Sequence, residues 1–226
     1  MHGSLSPPHT KPEVARLRSR LAVEAVLAAI GVLCFTLLAV AFARGGQVVA
    51  FDDDVSRWVA GNVPGGVEWI ARLFTWLGGV VGTVVVAGVA VISLWRASRR
   101  ADAMFVVLAV LGITVLVAVL KAVYQRARPD LGTSIPLPLS YSFPSGHAAT
   151  AVVLYGALGL LAAQRARSPL RAAAWLAAAG FIAFAIGASR VLLNVHFVSD
   201  VAAGFAVGLA FLCCCAIVRD VLVAPR

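Results

Sequence analysis

The chain has 226 residues, 61% of them hydrophobic and only 13% charged, with a mean hydropathy of +0.94. That apolar excess is far beyond what a soluble domain of this length needs to fill a core, so the composition excludes a water-soluble globular protein and points to an integral membrane protein. The formal net charge of +9 would suggest nucleic acid in a soluble protein, but the basic residues stand in short clusters between apolar runs, the pattern of membrane-flanking charge, and a nucleic-acid partner is set aside.

In chain order, residues 1–20 are polar, carry Pro7, Pro8 and Pro12, and end in a basic collar of Lys11, Arg16, Arg18 and Arg20, which reads as a mobile cytoplasmic tail. Six apolar segments follow, at about 21–43, 67–95, 102–120, 146–163, 172–188 and 199–218. Each is long enough for one helix across about 30 Å of hydrocarbon, where the backbone must satisfy its own hydrogen bonds. The expected fold is all-α: a six-transmembrane-helix bundle over residues 21–219, both termini cytoplasmic, with a short tail at 220–226. In the first segment Ala41-Phe42-Ala43 resembles a signal cleavage site, but the polar leader is long and the apolar run exceeds a signal core, so an uncleaved anchor is expected.

The stretch DDDVSRWVAGNV sets Val55, Trp58 and Val59 on one helical face behind an acidic first turn, so it reads either as a short helix in the outer interface or as an ordered loop. Gly78-x-x-x-Gly82 and Gly204-x-x-x-Gly208 offer small surfaces for close helix packing, within one chain or between copies. Cys34 and the run Cys213, Cys214 and Cys215 lie inside apolar segments without metal-ligand spacing and read as buried small hydrophobes.

Arg96, Arg99 and Arg100, then Arg165, Arg167 and Arg171, then Arg219 and Arg226 fall on the side of the first tail, which the positive-inside rule makes cytoplasmic. The opposite side receives Asp52, Asp53, Asp54 and Glu68, as expected outside. It also receives Lys121, Arg126, Arg128 and Arg190, which the rule disfavours there.

Three stretches at that outer face concentrate the unexplained polar residues. In KAVYQRARP, Lys121 lies seven residues before Arg128, about two helical turns, and Pro129 disfavours helix at Arg128. SFPSGH, residues 142–147, enters the fourth span, and SRVLLNVHFVSD, residues 189–200, sets His196 four residues before Asp200. Taken singly, a helix-end cation snorkels to a headgroup, Ser145 is a helix cap, and an interfacial histidine is a packed residue. Three cations, both histidines outside the tail and a carboxylate converging on one face argue otherwise.

That set suits phosphoryl transfer. Lys121, Arg128 and Arg190 can clamp phosphate oxygens, and the amides of the Ser145–Gly146 turn can donate at a helix N-terminus. His196 can attack phosphorus if Asp200 holds its other nitrogen, and His147 can protonate the departing oxygen and then activate water. The three outer-face motifs offer only Asp130 and Asp200 as carboxylates, Asp130 reading as a turn residue, and a two-metal site needs more ligands, so no metal or other cofactor is expected.

The series K-x6-RP, PSGH and SR-x5-H-x3-D, carried by Lys121, Arg128 and Pro129, by Pro144 to His147, and by Ser189, Arg190, His196 and Asp200, resembles the signature of the type 2 phosphatidic acid phosphatase superfamily. The resemblance implies a metal-independent phosphatase with a His196 nucleophile oriented by Asp200, a His147 acid, a phosphohistidine intermediate, and Lys121, Arg128 and Arg190 on the phosphate. Arg126 lies off the matched positions, so its substitution is expected to cost much less than that of Arg128. The family also holds soluble haloperoxidases and glucose-6-phosphatase-like enzymes; six spans argue against the soluble branch, and a site at headgroup level suits a lipid phosphate as substrate. Arginine-rich, lysine-poor usage suggests a bacterium with a GC-rich genome. In its cell membrane an outward-facing site would serve first to recycle a polyprenyl carrier, making undecaprenyl diphosphate the leading substrate and phosphatidylglycerophosphate or phosphatidate the alternative. A transporter or sensor is the competing class, against which stand the retention of His147, His196 and Asp200 and the position of the charges at one face.

Overall fold

A computed structural model describes residues 11–130 and 140–223; the first half of the tail expected at 1–20, residues 1–10, and the last residues, 224–226, lie outside them. The described residues form eight helices: α1 (Lys11–Arg44), α2 (Gln47–Asn62), α3 (Gly65–Gly78), α4 (Val80–Arg96), α5 (Arg100–Tyr124), α6 (Gly146–Ala163), α7 (Pro169–Leu192) and α8 (Val198–Val223). By length and apolar composition α1, α5, α6, α7 and α8 can each cross a membrane, five candidate spans among the described residues, or six if α3 and α4, bent by 53° to each other, count together as one. Helix α1 starts well before its apolar run, so Arg18 and Arg20 ride on a helix; Pro12 does not oppose this, because a first-turn proline forgoes no intrahelical hydrogen bond.

The second span differs from the straight helix expected at 67–95. It breaks where Gly79 turns extended (ψ 171) and its N–H closes on the Trp76 carbonyl at 3.1 Å. Gly78 lies against Ile186 of α7, and Gly82 folds back on the Trp76 carbonyl and the Leu77 backbone, places where a Cβ would collide. The first Gly-x-x-x-Gly pair thus builds a bend. The second does pack helices within the chain: a Cβ on Gly204 would lie 2.6 Å from the Ser145 carbonyl oxygen, and one on Gly208 2.8 Å from that of Ala149.

Helix α6 occupies the centre, packed on α5, α7 and α8 and touching α3 and α4. Its Ala149, Val153, Leu154 and Ala157 are fully buried with Ile113 of α5 and Ile186 of α7. Small residues on several of its faces let neighbours approach closely, and a helix surrounded in this way needs no amphipathic stripe. Outward, Leu37, Val80 and Phe181 stand exposed, as a lipid-facing surface requires.

The two ends of the bundle are polar in different ways. At one, Arg219 pairs with Asp102, Arg99 pairs with Asp102 at 2.7 Å, and Arg20 meets Asp220 at 3.1 Å, tying α1, α5 and α8 together. At the other, the C-terminal ends of α5 and α7 meet the N-terminal ends of α6 and α8, with α2 laid against α7 and α8. Over DDDVSRWVAGNV the chain is helical and not a loop; of the expected apolar face Trp58 is 60% exposed while Val59 is buried, and Asp52 and Ser56 turn inward beside it. The inward residues include an acid because that acid has partners there.

Candidate active site

Two tight turns aim the polar side chains. Helix α5 stops where Gln125 turns left-handed (φ 45) and donates its N–H to the Lys121 carbonyl at 3.0 Å, after which Pro129 keeps the chain extended. The segment that follows lies beside residues 140–142, held by Ser142 N–H to the Arg126 carbonyl and Ser142 Oγ to the Ala127 carbonyl, each at 2.8 Å. Helix α7 ends similarly at Asn194 (φ 53), a residue type that tolerates this region. The Val195 and His196 amides then donate back to the Arg190 carbonyl at 3.1 and 3.3 Å, and Ser56 Oγ of α2 donates to Asn194 Oδ1 at 2.7 Å.

This turn presents His196 on the first turn's approach to α8, four residues before Asp200. His196 Nδ1 lies 3.3 Å from Asp200 Oδ2, which also accepts the Phe197 N–H at 3.0 Å. His196 Nε2 lies 3.1 Å from Arg128 Nη1, a group that can only donate, so Nε2 carries the lone pair and Nδ1 the proton. Burial first, then the charges of Arg128, Arg190 and Lys121, hold the imidazole well below its ordinary pKa range, so it rests neutral.

The cations surround that nitrogen. Arg128 is held by the Ser140 carbonyl and the Val195 carbonyl at 2.8 and 2.7 Å. Lys121 Nζ donates to the Tyr141 carbonyl and, at 3.4 Å, to that of Ser142. Arg190 is 2% exposed; it donates through Nη1 to Thr75 Oγ1 of α3, and its Nε has no hydrogen-bond partner among the described residues. Ser145 Oγ is likewise buried and without such a partner. The unmet Arg190 Nε, on a side chain that borders a cleft, leaves room for an oxyanion, since a buried donor is costly to leave unmet; Ser145 does not itself border that cleft.

Lys121, Arg128, Gly146, His147, Arg190 and His196 all border one cleft of about 520 Å³ that continues between α4 and α5 along Val80, Val84, Leu111 and Val117. Asp200 sits behind His196, fully buried, and Asp130 is exposed. Ser145 departs from expectation in two ways. Its amide donates to the Asp200 carbonyl at 2.9 Å and is spent, and its side chain makes no capping hydrogen bond, so what it offers is the hydroxyl. The free amides at the start of α6 are those that follow it, which have no intrahelical acceptor.

Arg126 does not border the cleft. It was expected to matter little, yet it is 6% exposed, with Nη1 donating to Asp200 Oδ1 and Ser199 Oγ at 2.7 Å each and Nη2 donating to Asp52 Oδ2 at 2.8 Å. Its guanidinium carbon stands 4.6 Å from the Phe42 ring centroid and 4.2 Å from that of Phe197. Breaking a buried pair of this kind by removing one partner costs about 3–5 kcal/mol, because the other charge is left without compensation. Sequence reasoning missed Asp52, Ser199 and Thr75 altogether. One signal was present: Asp52, Ser56 and Val59 fall on one face at helical spacing. Among the described residues no three His, Cys, Asp or Glu side chains are grouped to hold a metal ion.

A helical membrane bundle that carries a buried His–Asp pair inside a ring of three cations, opening along an apolar cleft, has the makings of a membrane phosphoryl-transfer site. The chain belongs to the PAP2 superfamily, whose family model matches residues 102–222. Over 93 residues it is 39% identical to phosphatidylglycerophosphatase B of Bacillus subtilis (strain 168), a match that covers 40% of this chain and 45%, less than half, of that relative. The crystal structure of a transmembrane PAP2-type phosphatidylglycerolphosphate phosphatase from Bacillus subtilis superposes with a TM-score of 0.77 at 26% identity, covering 88% of this chain and 98% of that one. Aquifex aeolicus LpxE gives 0.55 at 28% identity, covering 74% and 92%.

Proposed function

We propose that the protein is a metal-independent lipid phosphatase that hydrolyses a phosphomonoester at the membrane surface, with phosphatidylglycerophosphate as its first substrate. The observation that carries this reading is the lone pair of His196 Nε2, aimed into a cleft between Lys121, Arg128 and Arg190 and backed by Asp200. In the first step a phosphate oxygen takes the Arg128 Nη1 hydrogen bond away from Nε2, which attacks phosphorus. The bond to the lipid oxygen breaks, and His147 gives that oxygen its proton. In the second step His147 takes a proton from water as the water attacks the phosphohistidine, freeing inorganic phosphate and neutral His196. Charge that develops on the phosphoryl oxygens meets three cations in a water-poor cleft, and Asp200 balances the transient imidazolium.

Two features support a lipid monophosphate. The cleft is apolar below the clamp, along Val80, Val84, Leu111 and Val117, where acyl chains can lie. Its cations number three once Arg126 is committed to Asp52 and Asp200, enough for one dianionic phosphate. Together with the phosphatidylglycerophosphate activity in the names of two relatives, this moves undecaprenyl diphosphate, the first expectation from sequence, to second place. The test is phosphate release by purified protein in detergent with EDTA, offered phosphatidylglycerophosphate, phosphatidate, polyprenyl phosphate and polyprenyl diphosphate. The highest kcat/KM should fall on phosphatidylglycerophosphate; a preference for the diphosphate would return the polyprenyl assignment, and no release from any of them would reject the enzyme.

A further inference from the structure

We infer that Asp52 and Arg126 are positioning residues for the His196–Asp200 pair, forming with Asp200 a buried carboxylate–guanidinium–carboxylate chain that reaches from helix α2 to the reacting imidazole. The inference rests on the phosphatase reading above. Asp200 uses its two oxygens for different tasks: Oδ2 faces His196 Nδ1, while Oδ1 accepts Arg126 Nη1 at 2.7 Å. Arg126 in turn is shared, because Nη2 donates to Asp52 Oδ2 at 2.8 Å. Asp52 is itself pinned, with Oδ1 accepting the Ser199 N–H at 3.0 Å and Oδ2 in contact with Ser199 Oγ.

Charge gives the arrangement its purpose. An arginine paired with Asp200 alone would fix the carboxylate but cancel the charge that His196 needs when it becomes a phosphorylated cation. Asp52 adds a second negative charge to the same guanidinium, so the buried chain carries one net negative charge toward His196 while Asp200 stays held. Phe42 and Phe197 both lie against the guanidinium, and its burial keeps water from screening it. Asp52 and Arg126 stand behind Asp200 and not on the border of the cleft, so they act on the reaction only through Asp200. A mere staple between α2 and α8 would not need an acid whose cation partner, among the described residues, is the one shared with Asp200.

The test compares wild type with Asp52→Asn, Asp52→Glu, Arg126→Met and the double variant Asp52→Asn/Arg126→Met. It reads kcat and KM for phosphatidylglycerophosphate, the inhibition constant of inorganic phosphate, and the melting temperature in detergent. Asp52→Asn should lower kcat at least about tenfold, the scale on which lost orienting partners act, while KM and the phosphate inhibition constant stay within about twofold because the clamp is untouched. Asp52→Glu should recover part of that loss. Arg126→Met should fall further, leaving two carboxylates facing each other, and the double variant, back at one net negative charge, should exceed it. Wild-type kcat in Asp52→Asn, or a loss in kcat matched by weaker phosphate binding and a lower melting temperature in every variant, would overturn the inference and leave the phosphatase reading standing. A wild-type protein that releases no phosphate would overturn the phosphatase reading, and this inference with it.

Discussion

The division of labour among charged residues at the site follows from what each one touches. His196 has both ring nitrogens committed to functional partners, so His196→Ala should abolish phosphate release, whereas Asp200→Asn should retain a trace through a misoriented ring. Lys121, Arg128 and Arg190 border the cleft, and each alanine substitution should cost on the order of a hundredfold in rate, since each meets developing charge in a water-poor site. Undiminished turnover in Arg190→Ala, measured as phosphate release, would show that its unmet Nε has no anion to serve. These residues were legible in the sequence because phosphate chemistry fixes their types and their spacing along short motifs. Asp52 was not: its partner Arg126 lies 74 positions away, and an acid in an outer loop reads as solvated until folding turns it inward. Arg126 gave half a signal, a cation on the side where the positive-inside rule disfavours one.

At the scale of elements, four helix ends supply the motif residues, and the bent span supplies their support. The fourth segment, 146–163, coincides with α6, and the segments expected at 102–120 and 172–188 undershoot α5 and α7 because the polar last turns of those helices carry the site residues Lys121 and Arg190. The break between α3 and α4 was hidden, since an uninterrupted apolar run cannot reveal a bend made by glycine backbone meeting carbonyls. That break brings Thr75 to Arg190 and seats Gly79 beside His147, where a Cβ would lie 3.6 Å from Nε2. Gly82→Ala would force its Cβ onto the Trp76 carbonyl and should destabilise by about 1–3 kcal/mol, with activity falling as Thr75 moves. Gly88→Ala in the same helix meets open space and should be neutral or stabilising by about 1 kcal/mol. Equal melting temperatures for the two variants in detergent would mean that the bend does not depend on Gly82.

At the scale of the whole molecule, the site and the arginine-rich end lie at opposite ends of the bundle, so one fact about orientation fixes the other. Arg20, Arg99, Arg165, Arg167 and Arg219 mark the end the positive-inside rule assigns to the cytoplasm, which would open the cleft on the extracytoplasmic face. A cysteine at Gly61, where a side chain meets nothing within 4 Å, should react in intact cells with a thiol reagent that cannot cross the membrane. One at Arg167 should react only after the membrane is opened. The native cysteines lie within α1 and α8 and should contribute a low background. The reverse labelling would turn the site toward the cytoplasm while leaving its chemistry intact.

If His196 carries the phosphoryl group during turnover, the phosphohistidine can be trapped. Purified protein in detergent with EDTA is mixed with phosphatidylglycerophosphate radiolabelled in its terminal phosphate and quenched in base, where a phosphohistidine survives. Wild-type protein should hold a label that is stable in base and lost in acid, located on the peptide containing His196, and His196→Ala should hold none and release no phosphate. Label on any other residue, or turnover by His196→Ala at the wild-type rate, would contradict it.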